Sequence, residues 1–374
     1  MGADVHLTRP RLSIVLPDLR SGGAERLHVA LAQYWRQRGI AVSFILRARR
    51  GELLDLLPGD IEVHDLHAPR VRNSIRPLMT HLGSHRPDAV LAAMWPLSVI
   101  TPVAGRLSGY RGRVVVSEHA PLSLSYAKRG PLHNMLMAAS MRACYPLASA
   151  RVGVSCGVAN DMSKLSGISR RNISVINNPA ATGRQWPRRQ PASPGTDSRP
   201  LILSVGTLKP VKRHDLLVRA FARLQMPDAR LCIIGEGPER ARIEALVSEL
   251  GLHDRVSLPG YQKEPGPWFS EADLFVLSSD YEGFGNVIVE ALEQGTPVVC
   301  TDCPSGPREI LQDGRFGLLV PPNNVDALAQ GLRQALHGQH DRRALKRRAL
   351  DFSIEKAARA YLSLLLPDWK GRPS

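Results

Sequence analysis

Short, nearly unbroken apolar runs recur along the chain with enough sequence between them for a crossover helix. Leu12–Leu16 reads as a buried parallel strand, and Ala24–Arg38 follows with Leu27, Leu31 and Tyr34 or Trp35 at helical spacing. Further strand-like runs lie at Val42–Leu46, Ala89–Ala93, Val114–Ser117, Val152–Val154 and Ile173–Ile176. The pattern fails at Ala180, where Thr182–Pro187 and then Ser198–Pro200 are rich in Pro, Ser and Arg. It restarts with strand Leu201–Val205, helix His214–Leu224, strand Arg230–Ile234, helix Pro238–Leu250, and strands near Val256–Leu258, Leu274–Leu277 and Val298–Cys300. Ser353–Leu366 closes the pattern as a helix with Ile354, Ala357, Ala358, Tyr361 and Leu362 on or near one face. Strands alternating with helices predict an α/β fold of stacked βαβ units with mostly parallel sheets. The break predicts two Rossmann-like lobes: residues 1–180, a linker at 181–200, residues 201–350, and a terminal helix and tail at 351–374.

The length of 374 residues agrees with two cores, since single cores stop growing at about 250–300 residues. No apolar run approaches the length of a membrane span and the N-terminus lacks an apolar signal core, so the expected location is cytoplasmic. The cysteines, Cys144, Cys156, Cys232, Cys300 and Cys303, are odd in number and scattered, which fits a reducing compartment. Cys300 and Cys303 form a Cys-x-x-Cys without the second pair a zinc site needs, and read as packed or solvated thiols. The formal charge of +15 is concentrated early: residues 1–180 carry a net +12, residues 181–200 carry +3, and residues 201–374 are neutral. A one-sided positive field attracts polyanions, whether nucleic acid, anionic membrane or a phosphorylated substrate.

Three segments stand where an open parallel sheet places its ligands, between a strand's C-terminal end and a helix N-terminus. In the first, Gly22 and Gly23 precede Glu25 and Arg26, although a plain tight turn has the same composition. The second, Gly206-Thr207-Leu208-Lys209-Pro210-Val211-Lys212-Arg213, joins a strand-end glycine to two lysines that suit a phosphate site, or to lysines that are merely solvated. The third, running from Asp280 to Glu293, sets Glu282 in a loop with Gly283, Phe284 and Gly285, starts a helix at Asn286, and carries Glu290 one turn on. Carboxylates so placed grip vicinal hydroxyls of a sugar or ribose.

The spacing of Glu282 and Glu290, within Glu-Gly-Phe-Gly and Glu-Ala-Leu-Glu-Gln-Gly-Thr-Pro-Val-Val, resembles the retaining glycosyltransferases of family 4, which have the GT-B fold. Gly206-x-Leu208-x-x-x-Lys212, Gly22-Gly23-x-Glu25-Arg26 and Leu318-Leu319-Val320-Pro321 fit the same family, so the resemblance covers nearly the whole chain. It implies two lobes with a cleft between them, the terminal helix packing back on the N-terminal lobe. Lys212 would neutralise the donor diphosphate together with backbone N–H groups near Phe284, Gly285 and Asn286. Glu290 would hold the nucleotide ribose and Glu282 the transferred sugar. Gly22 and Gly23 would face the diphosphate from the other lobe, with His119 near the reacting sugar. Many relatives carry arginine where this chain has Thr207, a change for which Lys209 is the candidate compensation. Thr301–Ile310, with Ser305 and Gly306 bordering the sugar, is similar to relatives that transfer N-acetylhexosamines in bacterial surface-glycan assembly, which implies a UDP-linked donor. The reaction would need no cofactor and no metal, with retention of anomeric configuration and the leaving phosphate helping to deprotonate the acceptor.

Competing motifs are incomplete. Gly235-Glu236-Gly237 meets Arg240 instead of the third glycine of a dinucleotide fingerprint, which counts against an epimerase or dehydrogenase, and no Walker loop or Asp-x-Asp occurs. His81 and His85 are four apart, but no glutamate follows His81 and no third ligand is evident, so they read as core or surface histidines. A basic nucleic-acid-binding protein would explain the charge, yet only 5% of residues are aromatic and no binding module is visible; nucleic acid is not an expected partner. The resemblance gives the acceptor to the N-terminal lobe. There Arg47, Arg49 and Arg50, then Arg70, Arg72 and Arg76 beside Ile75, Leu78 and Met79, lie among the excess charge. Leu132, Met135, Leu136 and Met137 follow near Lys128, Arg129 and Arg142. These mixtures predict peripheral binding to the anionic cytoplasmic leaflet and a lipid-linked or polysaccharide acceptor.

Overall fold

The computed structural model describes residues 9–20, 22–188 and 199–369 and divides the chain into two compact units. Ser21 of the first glycine loop, residues 189–198 of the expected linker and the tail from 370 lie outside the described residues.

The first unit takes the described parts of Met1–Pro179 together with the C-terminal segment from Ile354. Its strands are β1 (Arg11–Leu16), β2 (Ala41–Leu46), β3 (Glu62–Asp65), β4 (Ala89–Ala93), β5 (Arg113–Glu118), β6 (Ala150–Gly153) and β7 (Ser174–Val175). They form one parallel sheet in the order β3-β2-β1-β4-β5-β6-β7. The central strands are apolar on both faces because helices cover both, and Ile14, Val15, Leu91 and Val115 are fully buried. Helix Gly23–Gln37 lays Leu27, Leu31 and Trp35 on this sheet. The terminal helix Ile354–Leu365 joins the same core. Trp35 Nε1 donates to the Ala358 carbonyl (3.2 Å), Arg113 Nε donates to the Leu364 carbonyl (2.7 Å), and Tyr361 meets Trp35 edge-on.

The second unit, Ala180–Ser353, holds β8 (Leu201–Val205), β9 (Arg230–Ile234), β10 (Val256–Gly260), β11 (Leu274–Leu277), β12 (Val298–Thr301) and β13 (Leu318–Val320). They form a parallel sheet in the order β10-β9-β8-β11-β12-β13. Strand order reverses between β8 and β11, as it does between β1 and β4 in the first unit, and such reversals open a crevice beyond the strand ends.

The described part of the expected linker is structured. Glu293 accepts from Thr182 Oγ1 (3.0 Å) and the Gly183 N–H (2.6 Å), Trp186 N–H donates to Gln294 Oε1 (3.0 Å), and Ala181 N–H donates to the Phe352 carbonyl (3.1 Å). Residues 181–188 therefore strap the second unit, with Glu293 of the Glu-Ala-Leu-Glu run as the buried anchor.

Candidate functional site

Loops after β8 and β11 meet at the switch point of the second unit. After β8 the chain passes Gly206 and exposed Thr207, buries Leu208 completely, exposes Lys209, and makes a short 3-10 turn at Pro210–Lys212 before helix His214–Ala222. The Ser278 hydroxyl, just beyond β11, bonds the carbonyls of Lys212 (2.8 Å) and Arg213 (3.1 Å), Asp280 N–H donates to the Val211 carbonyl (2.8 Å), and Arg213 Nη1 reaches Asp280 Oδ1 (3.1 Å). These bonds fix the turn that aims Lys212. Its ammonium lies 2.7 Å from Glu282 Oε1, and the Ser279 hydroxyl donates to the same oxygen at 2.6 Å. Both members of the pair are largely buried, at 22% and 11% exposure, so their attraction is screened far less than that of a surface ion pair.

The Lys212 stem runs beside Gly206, and a Cβ built there would stand 3.6 Å from Lys212 Cε. Gly235 explains the incomplete dinucleotide pattern: a Cβ there would fall 2.0 Å from the Gly206 carbonyl oxygen, so this glycine lets the loop after β9 buttress the loop after β8. Leu208 N–H donates to the Glu236 carbonyl, and Glu239 N–H donates back to Leu208.

Beyond Glu282 the chain buries Phe284 against Phe352, turns at Gly285, and starts helix Asn286–Gln294. The first N–H groups of a helix lack intrahelical acceptors and carry its positive dipole end, which suits an anion. Glu290 sits one turn in and is half-buried. The loop after β12 closes over this turn. Glu282 N–H donates to the Pro304 carbonyl (3.2 Å), and Ser305 and Gly306 both adopt positive φ. A Cβ on Gly306 would lie 1.8 Å from the Phe284 carbonyl oxygen, so only glycine permits the contact. Cys300 and Cys303 are buried free thiols; burial first, and then the Glu282 charge, push Cys303 up to about 12, far from thiolate chemistry at neutral pH.

The structure thus brings together Gly206, Lys212, Glu282, Phe284, Gly285, Asn286, Ser305 and Gly306, with Glu290 on the adjoining helix. Ser279, absent from the sequence reading, completes the group.

Gly22, Gly23 and His119 belong to the first unit. Gly22 leads into helix Gly23–Gln37, and the Glu25 carboxylate folds back over it. His28 in that helix meets His119 edge-on, with ring centroids 5.1 Å apart, which ties the glycine loop and His119 into one corner. His119 Nε2 is 3.2 Å from the Ser117 hydroxyl, while His119 Nδ1 and His28 Nε2 are buried with no hydrogen-bond partner among the described residues. Burial, then the neighbouring His28, holds His119 well below the usual histidine range, and burial lowers His28 to about 4; both rings are neutral at neutral pH. His28 gave no sequence signal, because a histidine on a buried helical face resembles any other core residue.

Glu118, beside His119, is a fully enclosed carboxyl. Ser98 (2.5 Å) and Tyr145 (2.7 Å) donate to Oε1 and Trp95 N–H (3.1 Å) to Oε2, yet burial raises the group to about 7. Asp18, two residues beyond β1, is also buried. Burial pushes it up, but its bonds to Arg20 and Arg50 outweigh that and hold it below the usual carboxylate range. This corrects part of the membrane reading: Arg47, at 13% exposure, donates to the Ala68 carbonyl and is not a surface cation, and Arg50, although exposed, is paired with Asp18. Met137 and Leu78 are core residues as well, whereas Leu132, Met135 and Leu136 are exposed. A second correction concerns His81 and His85: strand β3 supplies a third histidine, His64, beside them.

Two parallel-sheet α/β units are the architecture of the GT-B glycosyltransferases. Residues 21–184 match the Glycosyltransferase Family 4 domain, and residues 188–352 match the Glycosyl transferases group 1 domain. A Campylobacter jejuni N-acetylgalactosamine-N,N'-diacetylbacillosaminyl-diphospho-undecaprenol 4-alpha-N-acetylgalactosaminyltransferase is 34% identical over 265 residues, 70% of this chain and 72% of that protein. Among solved structures, the apo lipopolysaccharide outer core galactosyltransferase WaaB has a TM-score of 0.75 at 21% identity, covering 96% of this chain and 100% of that one. Anabaena HepE, solved in complex with UDP, has a TM-score of 0.70 at 20% identity, covering 95% of each. The chain belongs to glycosyltransferase family 4 and is a glycosyltransferase of glycan assembly.

Proposed function

We propose that the protein is a retaining, metal-independent enzyme that moves an N-acetylhexosamine from a UDP-sugar to a lipid-linked or polysaccharide acceptor. The observation that carries this reading is the Lys212–Glu282 pair at the switch point of the second unit. In the reaction the bond from the anomeric carbon to the diphosphate oxygen breaks, and a bond to the acceptor oxygen forms on the same face. The acceptor proton passes to the departing phosphate. Lys212 and the N–H groups opening helix Asn286–Gln294 stabilise the negative charge that develops, in a preorganised setting where such donors are worth several kcal/mol. Glu282 Oε1 is taken by Lys212 and Ser279, so Oε2 is offered to a hydroxyl of the transferred sugar.

Glu290 takes the ribose hydroxyls, and Ser305 and Gly306 border the sugar. Gly206 leaves room for the diphosphate beside Lys212, and exposed Lys209 offsets the missing arginine at Thr207. In the first unit, Gly22 and Gly23 are the loop offered to phosphate and neutral His119 the group offered to a sugar. The Campylobacter relative's name supports an N-acetylhexosamine and a polyprenyl-diphosphate-linked acceptor, and the UDP bound to Anabaena HepE supports the nucleotide. The acceptor lipid places the enzyme peripherally on the inner face of the cytoplasmic membrane. Helix Pro131–Cys144 supports such docking with exposed Leu132, Met135 and Leu136 beside exposed Lys128, Arg129 and Arg142. Among the described residues no helix is long and apolar enough to cross a membrane.

The test incubates the purified enzyme with a panel of UDP- and GDP-sugars and a polyprenyl-diphosphate-linked glycan, with a chelator present. An α-linked product from UDP-N-acetylhexosamine is expected; preference for a GDP-hexose, or a β-linked product, contradicts the reading.

A further inference from the structure

We propose that His64, His81 and His85 form a binding site for a divalent transition-metal ion, separate from the donor chemistry. Strand β3 is an edge of the first unit's sheet and carries His64; helix Ile75–His85 presents His81 and His85 one turn apart. The fold brings the three together although 16 residues separate the first two. His81 and His85 stack with centroids 4.0 Å apart and planes 10° apart, and His64 lies 4.5 Å from His81 and 5.1 Å from His85. One ring nitrogen from each lies within 4.8 Å of the other two. Among the described residues this is the only group of three or more His, Cys, Asp or Glu side chains so arranged.

The existing hydrogen bonds leave donor nitrogens to spare. His85 uses Nδ1, against the Ser84 hydroxyl (3.0 Å) and the His81 carbonyl (3.3 Å), which leaves Nε2. His64 Nε2 lies 3.2 Å from the Glu62 carboxylate, which leaves Nδ1. No hydrogen bond to a His81 ring nitrogen occurs among the described residues, and His81 is 9% exposed. Three imidazoles without thiolates suit Zn²⁺, Cu²⁺, Ni²⁺ or Co²⁺ and not Mg²⁺ or Ca²⁺, which demand oxygen ligands. Zinc–nitrogen bonds of about 2.0–2.1 Å put tetrahedral ligands roughly 3.3 Å apart, so nitrogens within 4.8 Å of one another need to close by at most about 1.5 Å. His85 is exposed, so its ring is the one with solvent to move into. The Glu62 carboxylate adds negative charge beside the cluster, and water completes the coordination. A bound ion would clip the edge strand to the helix that follows it and stiffen the intervening segment, which carries Arg70 and Arg72.

Tag-free full-length protein is titrated with Zn²⁺ by calorimetry and with Co²⁺ by visible absorption, alongside His85→Ala, His64→Gln and His253→Ala. The expected result is one ion per chain with cobalt d–d bands, a higher melting temperature with Zn²⁺, and binding weakened tenfold or more in His85→Ala and His64→Gln but unchanged in the control His253→Ala. His85 is exposed, so its replacement leaves the fold intact. Affinity in His85→Ala equal to the parent's, or no Zn²⁺ binding by the parent, overturns the site.

Discussion

At the scale of single residues, Lys212 and His119 differ in what surrounds them, and their replacement is expected to differ accordingly. Lys212 faces a carboxylate at the mouth of the switch point, so Lys212→Ala is expected to lower transfer by roughly 10²–10³ and to weaken donor binding while the protein stays folded. Glu290→Ala is expected to act mainly on donor affinity. His119 sits in the other unit, and His119→Ala is expected to lower kcat with little change in KM for the donor. Steady-state kinetics with circular dichroism checks all three; equal loss of nucleotide affinity in His119→Ala would place that ring in the nucleotide pocket. Glu118 gives a pH signature. Its carboxyl titrates near 7 in the folded chain against an ordinary 4.5, so between those values the folded state holds a proton that the unfolded state has released. Stability from this group therefore falls as pH rises through about 4.5–7, by on the order of 3 kcal/mol when complete. Glu118→Gln removes the effect. In urea unfolding the variant should gain on the parent between pH 5 and pH 8, and an unchanged difference would show that Glu118 does not titrate there.

At the scale of elements, most of the framework was legible because parallel strands covered on both faces are unbroken apolar runs. Leu12–Leu16, Ala89–Ala93 and Leu201–Val205 could be read directly, and the helix after Gly285 starts at the expected Asn286. Strand β3 was not legible: Glu-Val-His-Asp at a sheet edge has neither an apolar run nor clean alternation, and His64 was missed with it. Residues 181–188 have a linker's composition, but their order comes from Glu293 and Gln294, about 110 residues away. The candidate donor loops could be found from glycine and glutamate spacing; the serines that aim them, Ser278 and Ser279, could not, because a serine's hydrogen bond leaves no pattern in sequence. The loop pair around Gly306 is the element-level test. Gly306→Ala puts a Cβ against the Phe284 carbonyl in a backbone region unfavourable to alanine, so a loss of about 1–3 kcal/mol in stability is expected, together with reduced donor binding. Alanine tolerated without change in melting temperature would mean the two loops move apart easily.

At the scale of the whole molecule, the charge excess falls before Leu201, while the switch-point site lies in the neutral second half. On the proposed function, the first part of the chain answers to an anionic surface and the second to a small anionic donor. Arg47 is sheltered at 13% exposure and exposed Arg50 is paired with Asp18, so the predicted surface attraction rests on fewer free cations and on the apolar helix face. Each engaged cation near an anionic bilayer contributes about 1 kcal/mol. Sedimentation with anionic but not neutral liposomes, weakened by salt and by the triple change Leu132→Ser, Met135→Ser and Leu136→Ser, is the expected result. Absence of binding at low salt would remove the membrane from the account.

On the proposed function, Lys212 at the switch point of the second unit receives the diphosphate of a UDP-sugar without help from a metal. Calorimetric titration of UDP-N-acetylglucosamine and UDP-N-acetylgalactosamine into the parent and Lys212→Ala, with a chelator present, tests it most directly. Saturable one-to-one binding by the parent, at least tenfold weaker in Lys212→Ala, a loss of about 1.4 kcal/mol or more, is the expected result. Equal affinity in the two proteins, or binding that appears only when a divalent metal is restored, would contradict it.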